Sequence, residues 1–458
     1  MSKQREHWAS SFGFIMAAAG SAIGLGTLWQ FPYMTYKNGG GLFVLLFLFF
    51  TVVIGFPIFI GELIMGRRAQ RGAVGTYSSL SSDASGWRMI GWLSVLSPFL
   101  ILAYYCVVAG WGLNYILLSL NQVFEGKSSE EVSNIFTTIY KSGQISVFFQ
   151  ILFLLITSGV VYQGVRKGIE HWAKILTSLL LILLLGLLIY SMTLSGFGQA
   201  VHYIFYPNFE NLTPSGVLEA LGLAFYTLSL GQGVMITYGS YMSKKEDIPK
   251  TGAIVSGVNI VVSVCAALMI FPIVFTFGLK PHEGFGLVFQ TMPVLFAELP
   301  GSLILSTTFF ILLVFTALTS SVAVFEVIVA NFIDLKGWSR KKATLYTAIA
   351  IFILGLPCAL SGSGSLFGNW ELMYGKNFFQ TIVDLVAQWI LPICGLGVSI
   401  FLGWIMKYQD IKESFFQGTN WKKCFGIWFL FVRWVAPLAI FIIILQSSGL
   451  VDLNKLFN

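Results

Sequence analysis

The stretch Ala19–Pro32, AGSAIGLGTLWQFP, decides how this chain is read. It lies in the first long apolar segment, yet holds three glycines, two hydroxyl residues and a proline within fourteen positions. Hydrocarbon offers no hydrogen-bond partner to a freed peptide group, so a membrane helix breaks only where protein encloses the break. Two readings stay open for this stretch alone. Gly20/Gly24 and Ala22/Gly26 fit the small-xxx-small spacing of a tight helix–helix seam, and the same residues fit a helix that comes apart.

Of the 458 residues, 56% are hydrophobic and 10% charged, where soluble domains carry about one quarter charged residues. That balance excludes a soluble globule. Apolar segments long enough to cross about 30 Å of hydrocarbon recur along the whole chain and leave no room for a separate soluble domain. Eleven spans are expected, at roughly 9–36, 40–66, 89–120, 144–163, 169–192, 215–242, 250–278, 302–334, 343–360, 379–406 and 425–447. An odd number puts the termini on opposite sides. With the N-terminus inside, 20 of the 27 Lys and Arg residues fall on the cytoplasmic side and six outside, so the N-terminus is expected in the cytoplasm and the C-terminus outside. The net charge of +7 follows from that loop bias and calls for no nucleic-acid partner. Arg433 alone lies well inside a span.

No segment reads as a cleaved signal peptide, and the first span suffices for insertion. The five cysteines lack CxxC spacing and the four histidines sit in loops or at span ends, which points away from disulfides and metal centres. No mid-span histidine or paired carboxylates supply the convergent groups a membrane enzyme needs, so no catalytic residue is assigned.

The sixth span echoes the first. GSAIGLG, Gly20–Gly26, and TLSLGQG, Thr227–Gly233, both place small hydroxyl residues before Gly-X-Gly at mid-span, five spans apart. Matching Gly-interrupted segments in two halves point to a transporter built from inverted repeats, with the site at the breaks. Freed carbonyls there can hold a cation, and the N-terminal end of the following half-helix favours a carboxylate. Ionisable residues inside spans are costly and therefore functional candidates. Glu62 either snorkels to the nearby arginines or offsets the charge of bound cations. Glu219 is expected to reach the outer interface, Asp384 lies early in the tenth span, and Glu326 has no partner that the sequence assigns. Thr319, Ser320, Ser321 and Asn259 are neutral oxygen carriers of the kind hard cations prefer.

REHWASSFGFIMAAAGSAIGLGTLWQFP (5–32), NGGG (38–41), FYTLSLG (225–231) and ALTSS (317–321) closely resemble bacterial members of the neurotransmitter:sodium symporter family, along essentially the whole chain. The resemblance implies an all-α polytopic protein of the LeuT fold, with inverted five-helix repeats over about 9–192 and 215–406, broken helices 1 and 6, and an extra helix at 425–447. It implies a single transporter domain in a bacterial inner membrane that imports an amino acid with one or two Na⁺ by alternating access. A proton-coupled carrier of the same fold and an ion channel are the alternatives. Oligomeric state is not implied.

Carried over by position, one sodium site would use the backbone oxygens of Gly20, Ile23 and Thr316 with the hydroxyls of Thr319 and Ser320. The other would use Ala22, Thr227, Asn259 and Thr27, which stands where the family usually has Asn. Substrate would lie against Ser21 to Gly26, including Ala22, Ile23 and Leu25. Tyr105 would donate to its carboxylate, while Ile101, Tyr226, Thr227, Ser229, Gln232, Ser320, Ala323 and Val324 shape the pocket. Tyr226 takes the place of an aromatic lid. Gln232 stands where relatives commonly have an apolar residue, and suggests either a polar substrate side chain or an amide satisfied by its neighbours. The inner gate would pair Arg5 with Asp334 beside Trp8 and Tyr241. At the outer gate Gln30 replaces the usual arginine and would face Asp384. Ser178 replaces a fifth-helix proline. Ser263 matches a chloride ligand of chloride-dependent relatives, but Phe47 and Leu223 replace others, which weighs against chloride; Glu62 would supply negative charge instead.

Overall fold

A computed structural model describes residues 5–81, 84–209, 213–278, 284–448 and 450, and among these every regular element is helical. Among the described residues, nine continuous helices are long and apolar enough to cross a membrane: Gly41–Ala69, Gly86–Leu120, Gly143–Tyr162, Val165–Ser191, Ile248–Phe277, Ser302–Lys336, Arg340–Ser363, Phe378–Ile405 and Lys422–Ser447. The remaining two expected crossings are the broken ones. The first is Ser11–Ala22 followed by Gly26–Lys37, bent by 51°. The sixth is Pro214–Thr227 followed by Val234–Gly239.

Local chemistry fixes several ends. Ser10 caps the first span by accepting from Gly13 N–H, and Thr213 and Asp247 do the same for the sixth and seventh, each with a proline in the first turn. The eleventh-span reading of 425–447 coincides with the helix, and the third begins earlier than expected. Among the described residues, six helices outside the spans were not anticipated: Ala73–Leu80, Ser129–Lys141, Phe197–Phe205, Leu287–Ala297, Trp370–Tyr374 and Tyr408–Phe416. Ser129–Lys141 carries a full capping box between Ser128 and Glu131. Those bonds to the carboxylate hold Glu131 below its ordinary pKa.

The spans differ in depth. The best apolar window of the eighth span is 89% buried and that of the third 78%, against 28% for the eleventh. Lipid therefore faces the last span, while the eighth packs on the third and on both broken spans. Ser178 leaves the fifth span unbroken from His171 to Ser191, after an opening π-helical turn at Val165–Glu170.

Candidate functional site

Both glycine-rich strings lose helical pairing where the sequence expects it. Ile23 N–H still reaches Ala19 O at 2.7 Å, but Gly24 N–H turns to Ala22 O at 3.1 Å, and Leu25 N–H bonds the Tyr105 hydroxyl at 3.2 Å. In the sixth span Ser229, Gly231 and Gly233 adopt φ of 55°, 74° and 72°. Glycine enters that region without penalty; for Ser229 it costs on the order of 1–3 kcal/mol, an outlay usually found at functional positions. The strain is held by tertiary contacts: Ser229 Oγ donates to Ser21 O at 3.1 Å, and Ser320 Oγ reaches the same carbonyl at 3.2 Å.

The breaks face one another around a cavity lined by Ser21, Ala22, Gly24, Leu25, Gly26, Ile101, Leu102, Tyr105, Tyr226, Thr227, Ser229, Gln232, Ser320, Ser321 and Val324. All the expected pocket residues line it except Ile23 and Ala323, which are fully buried behind it. Leu102 and Ser321 were missed. Leu102 is three residues before Tyr105 and Ser321 three before Val324, so a helical-face reading of the third and eighth spans was the available signal. Tyr226 closes over Gly26, where a Cβ would lie 2.8 Å from the ring. Gln232 is buried and lines the cavity, and among the described residues its amide has no hydrogen-bond partner.

Two oxygen clusters flank the cavity. Thr27 Oγ1 lies 3.1 Å from Ala22 O and 3.2 Å from Asn259 Oδ1, and Asn259 Nδ2 donates to Thr227 Oγ1 at 3.1 Å. The Thr27 hydroxyl thus reaches the cluster in place of the usual amide. In the second cluster Thr319 Oγ1 is 3.1 Å from Thr316 O, and a Cβ on Gly20 would come within 3.0 Å of Thr319 Cβ. Absence of a side chain at Gly20 lets the first span approach the eighth this closely. Every hydroxyl and amide named here is buried.

Glu62 is fully buried and neither snorkels nor meets the arginines. Its Oε1 accepts from Gly231 N–H at 2.8 Å, at the head of the second half of the sixth span. Arg67 turns instead to the carbonyls of Glu246 and Ser414, and Arg68 to Asp410 and Glu413. A carboxylate at a helix N-terminus is electrostatically favoured. Ser263, offered for chloride, has its hydroxyl bonded back to Asn259 O at 2.8 Å, and Phe47 and Leu223 are buried apolar neighbours in the core.

On the Arg5 side the gate is assembled. Arg5 Nη1 bonds both Asp334 oxygens at 2.8 and 2.7 Å, its Nε and Nη2 bond Ser240 Oγ, and its guanidinium lies 4.9 Å over the Tyr241 ring. Trp8 Nε1 donates to Tyr238 O at 3.0 Å. Glu326, left open by the sequence, accepts from Tyr241 Oη at 2.6 Å and from two nitrogens of Arg340 at 2.8 and 3.0 Å. Glu219 meets Lys37 and Asn38.

The outer gate differs from expectation. Gln30 does not bond Asp384; that carboxylate pairs with Lys376 and accepts from Gln380 Nε2 at 2.8 Å. Aromatic packing spans the gap instead: Trp29 lies 4.7 Å from Phe285, Phe285 5.5 Å from Phe379, and Phe379 stacks on Trp111 at 6.1 Å. An uncharged residue at position 30 leaves Asp384 to a lysine eight residues back on its own segment, and closure passes to the rings.

A sequence profile of the Sodium:neurotransmitter symporter family matches residues 5–134 and 128–455. The uncharacterized sodium-dependent transporter YhdH of Bacillus subtilis is 38% identical over 99% of this chain and 100% of its own length. An uncharacterized sodium-dependent transporter of Haemophilus influenzae is 33% identical over 97% of this chain and 98% of its own. Among solved structures, MhsT in complex with L-phenylalanine matches with a TM-score of 0.88 at 39% identity, covering 97% of this chain and 100% of that one. Fold and divided helices thus define a LeuT-fold secondary transporter of the multi-pass membrane type, and not an enzyme. The chain belongs to the Sodium:neurotransmitter symporter family and is a sodium-dependent symporter.

Proposed function

We propose that this symporter imports an amino acid of moderate size with a polar side-chain group, driven by one or two Na⁺ ions, through alternating access across a bacterial inner membrane. Its N-terminus is then cytoplasmic and its C-terminus outside, and the Arg5–Asp334 gate is the inner one. The observation that carries the reading is the pair of facing breaks, whose freed carbonyls and buried hydroxyls border one cavity. Na⁺ is a cargo ion here. It would be held by Gly20, Ile23, Thr316, Thr319 and Ser320 in one cluster and by Ala22, Thr27, Thr227 and Asn259 in the other. Ligands of this kind, neutral oxygens in a dry setting, suit a hard monovalent cation. Inward Na⁺ movement gains about 2.3 kcal/mol per charge per 100 mV. A substrate carboxylate near the Ala22–Thr27 cluster would complete its shell, so each ligand raises the other's affinity.

The amino group and carboxylate would lie along Ser21–Gly26, with Tyr105 Oη donating to the carboxylate. Tyr105→Phe removes one bond to a charged group, worth about 1.5–3 kcal/mol. Substrate affinity is expected to fall about tenfold or more, and Na⁺ affinity measured without substrate to change little. Isothermal titration of the purified variant checks both.

The side-chain end is bounded by Ile101, Leu102 and Val324 and by Gln232, whose amide has no partner among the described residues. A site that offers a free buried amide discriminates against side chains unable to bond it. Gln232→Leu is therefore expected to weaken amino acids with hydrogen-bonding side chains about tenfold and to leave leucine-like ones unchanged or tighter. The test of the whole reading is a screen of the common amino acids for Na⁺-dependent stabilisation of the purified chain, followed by uptake in proteoliposomes. Uptake that persists without Na⁺ and requires an acidic exterior would replace sodium coupling by proton coupling. Current without stoichiometric uptake would make the protein a channel.

A further inference from the structure

We infer that the groove around Arg433, between the tenth and eleventh spans, binds the phosphate of an anionic phospholipid. Arg433 is eight residues beyond Phe425 in the eleventh helix, about 12 Å along its axis at 1.5 Å per residue. A basic residue inside a span is tolerated where its side chain snorkels to the interface or finds a counter-charge. Glu326, the buried acid of the eighth span, has Arg340 and Tyr241 as partners. Arg433 has none among the described residues. No carboxylate lies within ion-pair distance, its guanidinium makes no protein hydrogen bond, and Nε is buried without a partner. Its guanidinium carbon sits 5.6 Å from the Trp404 ring, 5.7 Å from Trp434 and 5.9 Å from Phe429. Three rings hold a cation in place but do not neutralise it.

The groove is built by both helices. Each makes a π-helical turn at the contact, Phe401–Ile405 in the tenth and Phe431–Val435 in the eleventh. A Cβ on Gly403 would lie 3.1 Å from Arg433 Cα, so glycine there eases the close approach of the two backbones. Helical side chains point back toward their N-terminus, which aims Arg433 at the membrane face carrying Lys407, Lys412, Lys422 and Lys423. Trp404 is the penultimate residue of its helix, so the guanidinium is level with that interface. The mouth is flanked by Trp404, 40% exposed, and Trp434, 59% exposed, with Leu430 and Leu438 beside it on the lipid-facing surface. The eleventh span is the least buried of the nine continuous helices, so this mouth opens to lipid rather than water. A planar guanidinium fork matches a phosphate's oxygens, the rings suit the glycerol and upper acyl chains, and the lysines concentrate anionic lipid around the mouth.

The experiment compares the full-length wild type with Arg433→Leu in detergent, adding phosphatidylglycerol, phosphatidylcholine with the same acyl chains, or millimolar inorganic phosphate. Phosphatidylglycerol is expected to raise the wild-type unfolding midpoint by about 3 °C more than phosphatidylcholine does, with no such difference in Arg433→Leu and no shift from phosphate. Equal phosphatidylglycerol shifts in the two proteins would overturn the site, as would phosphate reproducing the shift. A change in the number of associated copies in Arg433→Leu by light scattering would also overturn it, assigning the groove to a second copy of the chain. If Arg433→Leu does not fold, Arg433→Lys serves: native mass spectrometry should show fewer phosphatidylglycerol molecules retained than by the wild type, and unchanged retention would sink the inference. Na⁺-dependent substrate binding should stay intact in both variants, which separates this site from the transport reading.

Discussion

Alanine at both Thr319 and Ser320 is expected to abolish Na⁺-dependent substrate binding while leaving the chain folded and membrane-inserted. Thr319 faces Gly20 across the first and eighth spans, and Ser320 Oγ sits 3.2 Å from Ser21 O at the break. In the proposed sodium cluster these two hydroxyls are the only side-chain ligands; the other three are peptide carbonyls that no substitution removes. Losing two oxygens from a desolvated cation forfeits interactions worth about 1.5–3 kcal/mol each, or at least a hundredfold in Na⁺ affinity together. Because substrate and ion support each other, apparent substrate affinity should drop with it. Fold should survive, since both positions lie within an unbroken helix and alanine is the best helix former. Sodium titrations followed by intrinsic fluorescence or scintillation proximity would decide the matter: a wild-type Na⁺ response in the double variant removes this assignment.

Glu326→Ala is expected to destabilise the folded chain by about 3–5 kcal/mol, because Arg340 would be left largely buried without its counter-charge. Arg340 meets the carboxylate with two nitrogens, and its other acid neighbour among the described residues, Glu6, lies 3.7 Å away and is about half exposed. The Tyr241 hydroxyl loses its acceptor in the same step, and Tyr241 supports the Arg5 guanidinium. Damage should therefore spread to the gate, raising cysteine accessibility from the Arg5 side. A double change, Glu326→Leu with Arg340→Leu, removes both charges and should recover part of the loss, since replacing a buried pair with apolar residues is often neutral. Thermal unfolding of the three proteins measures the non-additivity. A double variant no more stable than Glu326→Ala would mean that the ion pair is not what the structure depends on.

Much of the candidate site was readable along the chain because its determinants are local. Glycines and hydroxyls at Gly20–Gly26 and Thr227–Gly233 weaken the helix at those positions, and the same short strings provide the oxygens that face the cavity. Partners of long side chains were not readable. Glu62 reaches Gly231 across 169 residues and Tyr241 reaches Glu326 across 85, and nothing in the local sequence of either acid selects among the donors available. Gln30 and Asp384 illustrate the same limit from the other side. Their facing was inferred by position, yet Lys376 is held nearer by the turn before the tenth span, and the rings of Trp29, Phe285 and Phe379 fill the path between. Arg433 was visible as an outlier, but its cage of Trp404, Phe429 and Trp434 depends on two π-helical turns that no residue pattern announced.

Sequence alone determined that this chain crosses a membrane many times and comes unpaired twice on the way, since length, hydropathy and backbone preference act over one or a few helical turns. Tertiary structure alone decided which donor each buried acid holds, how the outer path is closed, and where Arg433 lies. Those outcomes rest on the distances between helices far apart in the chain, and low-dielectric surroundings let a few tenths of an ångström choose the partner.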